Sequence, residues 1–148
     1  MELIDVFKST FSFTPSDVFH WSPENNTIFY NSNDLKKNTG RLSLLHEIAH
    51  GLLTHSSYDY DLDLIRLESA AWEKTRSLAS ERKIDFIEEH AQECLESYRS
   101  WLHRRATCPN CEQVTLEALP QHYACFNCHT QWNVPRNQLC QIQRKRLK

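Results

Sequence analysis

Leu42, Leu45, Ile48, Ala49 and Leu52 recur at helical spacing, which predicts an amphipathic helix over residues 41–55. Upstream of it, Leu3, Ile4 and Phe7 share one face of a short helix within residues 1–10. Aromatic and β-branched residues then cluster in Val18-Phe19-His20-Trp21 and in Thr27-Ile28-Phe29-Tyr30, on either side of the breaker run Ser22-Pro23-Glu24-Asn25-Asn26. That pattern predicts a β-hairpin. Residues 31–40, NSNDLKKNTG, read as a polar loop, and SSYDYDLD as the loop after the 41–55 helix. Helical periodicity resumes near Leu62 and continues past residue 100, with an interruption at Lys83-Ile84-Asp85. Asp85 followed by Glu88 has the form of a capping box, so helices are expected near 62–82 and 86–104.

Near residue 106 the pattern changes to cysteine pairs, short strands at Thr115–Leu119 and Gln131–Val134, and a basic tail, QRKRLK. A domain boundary is expected there, giving residues 1–105 and 106–148. The fold class is α+β, with a small front hairpin or sheet packed on helices.

The 148 residues are 40% hydrophobic, enough for one modest core and an appendage. Two glycines and five prolines exclude a low-complexity chain. The net charge of −2 hides an asymmetry: residues 1–98 hold nine Lys/Arg against seventeen Asp/Glu, and residues 99–148 hold eight against two. The basic end can meet a nucleic acid or another acidic partner, or the acidic half of its own chain. MELIDVFKSTF has neither a basic start nor an apolar run, so no export signal is expected and the setting is read as cytoplasmic. No stretch of about 18 apolar residues predicts a membrane span. In that setting six cysteines point to metal rather than to disulfides.

Within the 41–55 helix, His46-Glu47-Ile48-Ala49-His50 spells H-E-x-x-H. Residues four apart share a helix face, so both imidazoles can ligate one zinc while Glu47, one step round, reaches a metal-bound water. A shuffled chain of this composition contains about 0.03 such matches, so the motif is informative. The competing reading is a pair of hydrogen-bonded helix histidines, but Leu44, Leu45, Ile48 and Leu52 already supply the apolar surface. A hydrolytic zinc site takes a third protein ligand and leaves one position open. Glu68, 18 residues past His50 at the start of the next helix, is the best candidate, with Asp61, Asp63, His55 and His90 as rivals. Ala70 and Ala71 would let the two helices pack closely. Gly at 53 and His at 56, which an extended metzincin pattern needs, are replaced by Leu53 and Ser56.

HEIAH followed by Glu68-Ser69-Ala70-Ala71-Trp72 resembles the gluzincin metallopeptidases, most of all the compact ImmA/IrrE-type peptidases, over roughly residues 15–80. The resemblance implies a zincin-like helical domain behind a short sheet. It also implies His46, His50 and Glu68 as ligands of a catalytic zinc, and Glu47 as general base. Glu47 would then assist attack of zinc-bound water on a peptide bond of a regulatory protein and return the proton to the leaving amine. Tyr58 and Tyr60, just after the active helix, and His55, at its end, are candidate oxyanion stabilisers.

Cys108-Pro-Asn-Cys111 and Cys125-Phe-Asn-Cys128 are two Cys-x-x-Cys knuckles separated by thirteen residues. This is the spacing of a zinc ribbon, in which four thiolates surround a structural Zn²⁺. Two zinc ions per chain are therefore expected. Cys125–His129 also fits a c-type haem attachment pattern, but haem would leave Cys108 and Cys111 without a role. Cys94 and Cys140 are read as free thiols. Arg99, Arg104, Arg105 and RKRLK, with Tyr123, Phe126 and Trp132, make the ribbon end a candidate for nucleic-acid or protein contact.

The leading function is an intracellular zinc endopeptidase that cuts a specific regulatory protein. A histidine third ligand would point instead to a SprT-like, DNA-associated protease. A non-catalytic two-zinc binding module for protein or nucleic acid would have a closed first site.

Overall fold

The computed structural model describes residues 2–136 and the backbone of 145–146; Cys140 and the rest of the basic tail lie outside the described residues. The chain forms two compact units, residues 1–57 with 67–91 and residues 58–66 with 92–148. The architecture is α+β.

The first unit opens with α1 (Leu3–Phe7) and a three-stranded sheet of β1 (Ser12–Pro15), β2 (His20–Ser22) and β3 (Thr27–Tyr30), in the order β1-β3-β2. β2 and β3 form the expected hairpin, antiparallel with Trp21 opposite Ile28. β1 is an addition, pairing parallel to β3 with Phe13 opposite Ile28. Its sequence, SFTP, is polar at alternate positions and ends in a proline, which an edge strand tolerates.

A 3-10 turn (Asp34–Lys36) leads into α2 (Asn38–Leu52). Part of the expected polar loop is therefore helical. Gly40 allows this entry, because a Cβ there would lie 1.8 Å from the Asp34 carbonyl oxygen. Leu42, Leu44, Leu45, Ile48 and Ala49 are all buried, and the helix packs on β2 and β3. It ends three residues sooner than its periodicity suggests. Thr54 takes a left-handed conformation (φ 55°), and the chain turns back on itself.

Two long helices follow, α3 (Asp61–Glu81) and α4 (Glu88–Ala106). Trp72, Leu78, Ala79 and Ala91 add to the buried core of the first unit. α4 begins at Glu88, so Asp85 stands outside the helix instead of closing a capping box. The Asp85 carbonyl accepts a hydrogen bond from Asn38, and Glu88 pairs with Arg76.

In the second unit, β4 (Glu117–Leu119), β5 (His122–Ala124), β6 (Gln131–Asn133) and β7 (Lys145–Arg146) form an antiparallel sheet in chain order. β4 and β6 are the two expected strands, each shortened, and β5 lies between them. The core is Ala106, Cys108, Tyr123, Cys125, Trp132 and Val134, with the Tyr123 and Trp132 rings stacked 5.4 Å apart. Residues 92–105, read from the sequence as part of the front domain, cluster with this segment. The buried Trp132 indole donates a hydrogen bond to the Arg105 carbonyl, which helps to explain the grouping.

Candidate functional site

α2 sets His46 and His50 one turn apart, and α3 brings Glu68 against both. His46 Nε2 lies 2.8 Å from Glu68 Oε2, and His50 Nε2 lies 3.2 Å from Glu68 Oε1. The two Nε2 atoms are 3.1 Å apart. All three residues are buried, at 6%, 8% and 6% exposure. Three donor atoms meeting at one point inside a core demand a cation or a shared proton. Their separations are close to the edge of about 3.3 Å expected between N and O ligands of a tetrahedral zinc. The donor set could hold a metal ion.

Electrostatics couple the three groups. Burial alone would raise the Glu68 carboxyl, but hydrogen bonds from His46 and His50 hold it down at about 2. His50 loses basicity by burial and regains more from Glu68, so its imidazole is raised above the ordinary value. Glu47 is half-buried on the same helix, and its charge adds to that rise.

His55 joins from the side. On a continuing helix it would face away from the pair, but α2 stops at Leu52 and the Thr54 turn carries it back. Its Nδ1 lies 2.8 Å from Nδ1 of His50, the nitrogen turned away from Glu68. Burial and the neighbouring His50 lower its basicity. His90, another candidate ligand, meets the Ser43 hydroxyl at 3.2 Å and the edge of Trp72, and is not part of the donor set. Asp61, Asp63, Tyr58 and Tyr60 belong to the second unit. There Asp61 is bound by Arg105, Asp63 pairs with Arg66, and the Arg136 guanidinium lies over the Tyr58 ring. Tyr60 is exposed.

Two neighbours of the site have no role assigned from the sequence. The Trp72 ring stacks on His46 at 4.3 Å, one helical turn after Glu68, and walls one side of the donor set. Trp21, from β2, donates its indole N–H to the His55 carbonyl at 2.8 Å. The turn-by-turn spacing of Glu68 and Trp72 could have flagged the first. The second joins residues 34 apart and leaves no local signal.

The second unit gathers Cys108, Cys111, Cys125 and Cys128. Cys108 and Cys128 sulfurs are 3.6 Å apart, and those of Cys111 and Cys125 3.5 Å. A tetrahedral zinc with four thiolates has edges of about 3.8 Å. Backbone N–H groups of Asn110 and Cys128 point at the Cys108 and Cys125 sulfurs. Hydrogen bonds from Thr130 and Asn110 hold the Cys128 thiol down at about 5.

The IrrE N-terminal-like domain, a peptidase family, matches residues 3–141. The chain belongs to this family. It is a zinc metallopeptidase of the ImmA/IrrE type, and as a peptidase it takes a protein substrate. The family match runs far beyond residues 15–80 and includes all four cysteines. No curated protein and no solved structure matches the chain. Among the described residues, no helix is long and apolar enough to cross a membrane.

Proposed function

We propose that the chain is an intracellular, gluzincin-type endopeptidase that cleaves a specific regulatory protein. His46, His50 and Glu68 hold the catalytic zinc, and Glu47 is the general base. The observation that carries this reading is the meeting of three buried donor atoms beside the half-buried Glu47. Zinc bound there supplies Lewis acidity, which polarises a peptide carbonyl and acidifies a water molecule. Glu47 accepts the proton as the water attacks, and delivers it to the departing amine. Glu68 stays ionised throughout, offsetting the positive charge it faces.

A carboxylate as the third buried donor supports the gluzincin arrangement over the histidine-ligand arrangement of SprT-like proteases. Cys108, Cys111, Cys125 and Cys128 hold a second, structural zinc in a ribbon, which makes two zinc ions per chain. The family match through this segment supports treating it as part of the enzyme rather than as an added module. The basic end, with Arg99, Arg104 and the tail, offers a contact for an acidic partner or nucleic acid.

Zinc content of the purified chain tests the assignment. Two ions per chain, falling to one in Glu68→Ala, with proteolysis reduced by about 10²- to 10⁴-fold in Glu47→Gln, is the expected result. One ion in both wild type and Glu68→Ala would leave the first site without a metal and overturn the peptidase mechanism.

A further inference from the structure

His55 is outside the three-donor set yet in contact with it. For His50 to offer a lone pair from Nε2, its neutral ring must carry the proton on Nδ1. That proton faces Nδ1 of His55, 2.8 Å away. His55 Nδ1 is then the acceptor, and its own proton sits on Nε2.

The position of His55 is built rather than incidental. Its backbone N–H donates to the His50 carbonyl at 3.0 Å, closing the turn made by Thr54. Its carbonyl accepts the Trp21 indole N–H at 2.8 Å. Trp21 in turn packs edge-on against Phe11, with ring centres 5.4 Å apart. Phe11 occupies the space left by Gly51, where a Cβ would lie 2.7 Å from its ring. Sheet, helix and turn thus converge to hold one imidazole against another. His46 has no counterpart among the described residues: its Nδ1 is buried without a hydrogen-bond partner there.

We propose that His55 is a positioning residue for the metal centre, accepting the His50 Nδ1 proton and so fixing the tautomer and ring orientation in which Nε2 faces the metal. This rests on the zinc reading above. Partners of this kind, one step removed from the metal, are worth about 10- to 100-fold in metal affinity. The third ligand place is taken by Glu68, and His55 presents its nitrogen to the outer side of His50 instead.

The full-length chain is the test object, titrated with Zn²⁺ against a chromophoric chelator as wild type, Glu68→Ala, His55→Phe and His55→Asn. Phenylalanine keeps a ring without an acceptor, and asparagine restores an oxygen near the same place. The expected result is zinc affinity at the histidine site weakened about 10- to 100-fold in His55→Phe. His55→Asn should recover most of it, and the ribbon zinc should be unchanged in both. Long-range ¹H–¹⁵N spectra of the zinc-loaded wild type should show His50 protonated at Nδ1 and His55 at Nε2. Unchanged affinity in His55→Phe, equal losses in both variants, or a His55 proton on Nδ1 would overturn the proposal. If His55→Phe does not fold, the wild-type spectra and His55→Asn decide. Equal zinc content in wild type and Glu68→Ala would instead overturn the zinc reading itself, a distinguishable failure.

Discussion

Asp61 and Arg105, 44 residues apart in the chain, meet as a two-pronged ion pair with N–O distances of 2.7 and 3.1 Å. Their side chains are 1% and 0% exposed. The Tyr123 hydroxyl donates to the same carboxylate at 2.6 Å, and the guanidinium also reaches the Pro135 carbonyl. Burial and Asp61 push the Tyr123 phenol far above its ordinary range, so it remains a donor. Removing one partner strands a charge in the core of the second unit. Arg105→Met is expected to cost about 3–5 kcal/mol, and Tyr123→Phe about 1–3 kcal/mol, in urea unfolding of the zinc-loaded chain. A loss below about 1 kcal/mol for Arg105→Met would mean that the network adds little beyond packing.

Glu47→Gln keeps the shape of the side chain and removes its basicity. Proteolysis should fall by about 10²- to 10⁴-fold while zinc content stays at the wild-type level. Loss of zinc together with activity would place Glu47 among the ligands instead.

In metal-free protein the Glu68–histidine cluster should give stability a defined pH window. Glu68 is lowered from 4.5 to about 2, so its contribution is complete above pH 4.5 and is lost as pH falls towards 2. His50 is raised from 6.5, so its contribution is complete below pH 6.5 and is lost as pH climbs through the raised value. The two overlap between about pH 4.5 and 6.5, where the Tm gap between chelator-treated wild type and Glu68→Gln should be widest. Zinc-loaded protein should show the reverse slope, since the metal needs neutral imidazoles and binds better as pH rises. A Tm gap that does not vary with pH would show that the cluster is not ionised in this way.

Gly51→Ala should be costly although alanine favours helices. The added methyl meets the Phe11 ring at 2.7 Å, and the ring is held against Trp21. Overpacking of this kind costs about 1–3 kcal/mol, and Phe11→Leu in the same chain should recover part of it. Thermal unfolding of the single and double variants measures both.

The sequence is most readable where one local rule governs several residues at once. Leu42, Leu45 and Ile48 announce α2, and the two-by-two cysteine spacing announces the second donor set. Glu68 is legible too, because the loop after His50 is the right length to return a helix. The failures share a cause, since each depends on contacts between distant residues or on a backbone choice that the residue type does not advertise. Nothing in Thr54 signals a left-handed φ, so His55 reads as one more helical position. β1 is polar and ends in Pro15; it becomes a strand only because β3 offers a free edge. The compositional break near 106 is real, yet residues 58–66 and 92–105 cluster with the cysteine-bearing segment, drawn by an Asp61–Arg105 pairing that no window of sequence contains.

The spacing of the donors along the chain also sets an order of arrival during synthesis. Glu68 follows His50 by 18 residues and precedes Cys108 by 40. At about 5–20 residues per second the polypeptide acquires its carboxylate some 1–4 s after the histidine pair, and the first of its four clustered cysteines roughly 2–8 s later still. His46, His50 and Glu68 are thus all polymerised before the ribosome reaches Cys108. Along the growing chain the nitrogen and oxygen donors therefore come first, and the clustered sulfur donors follow them.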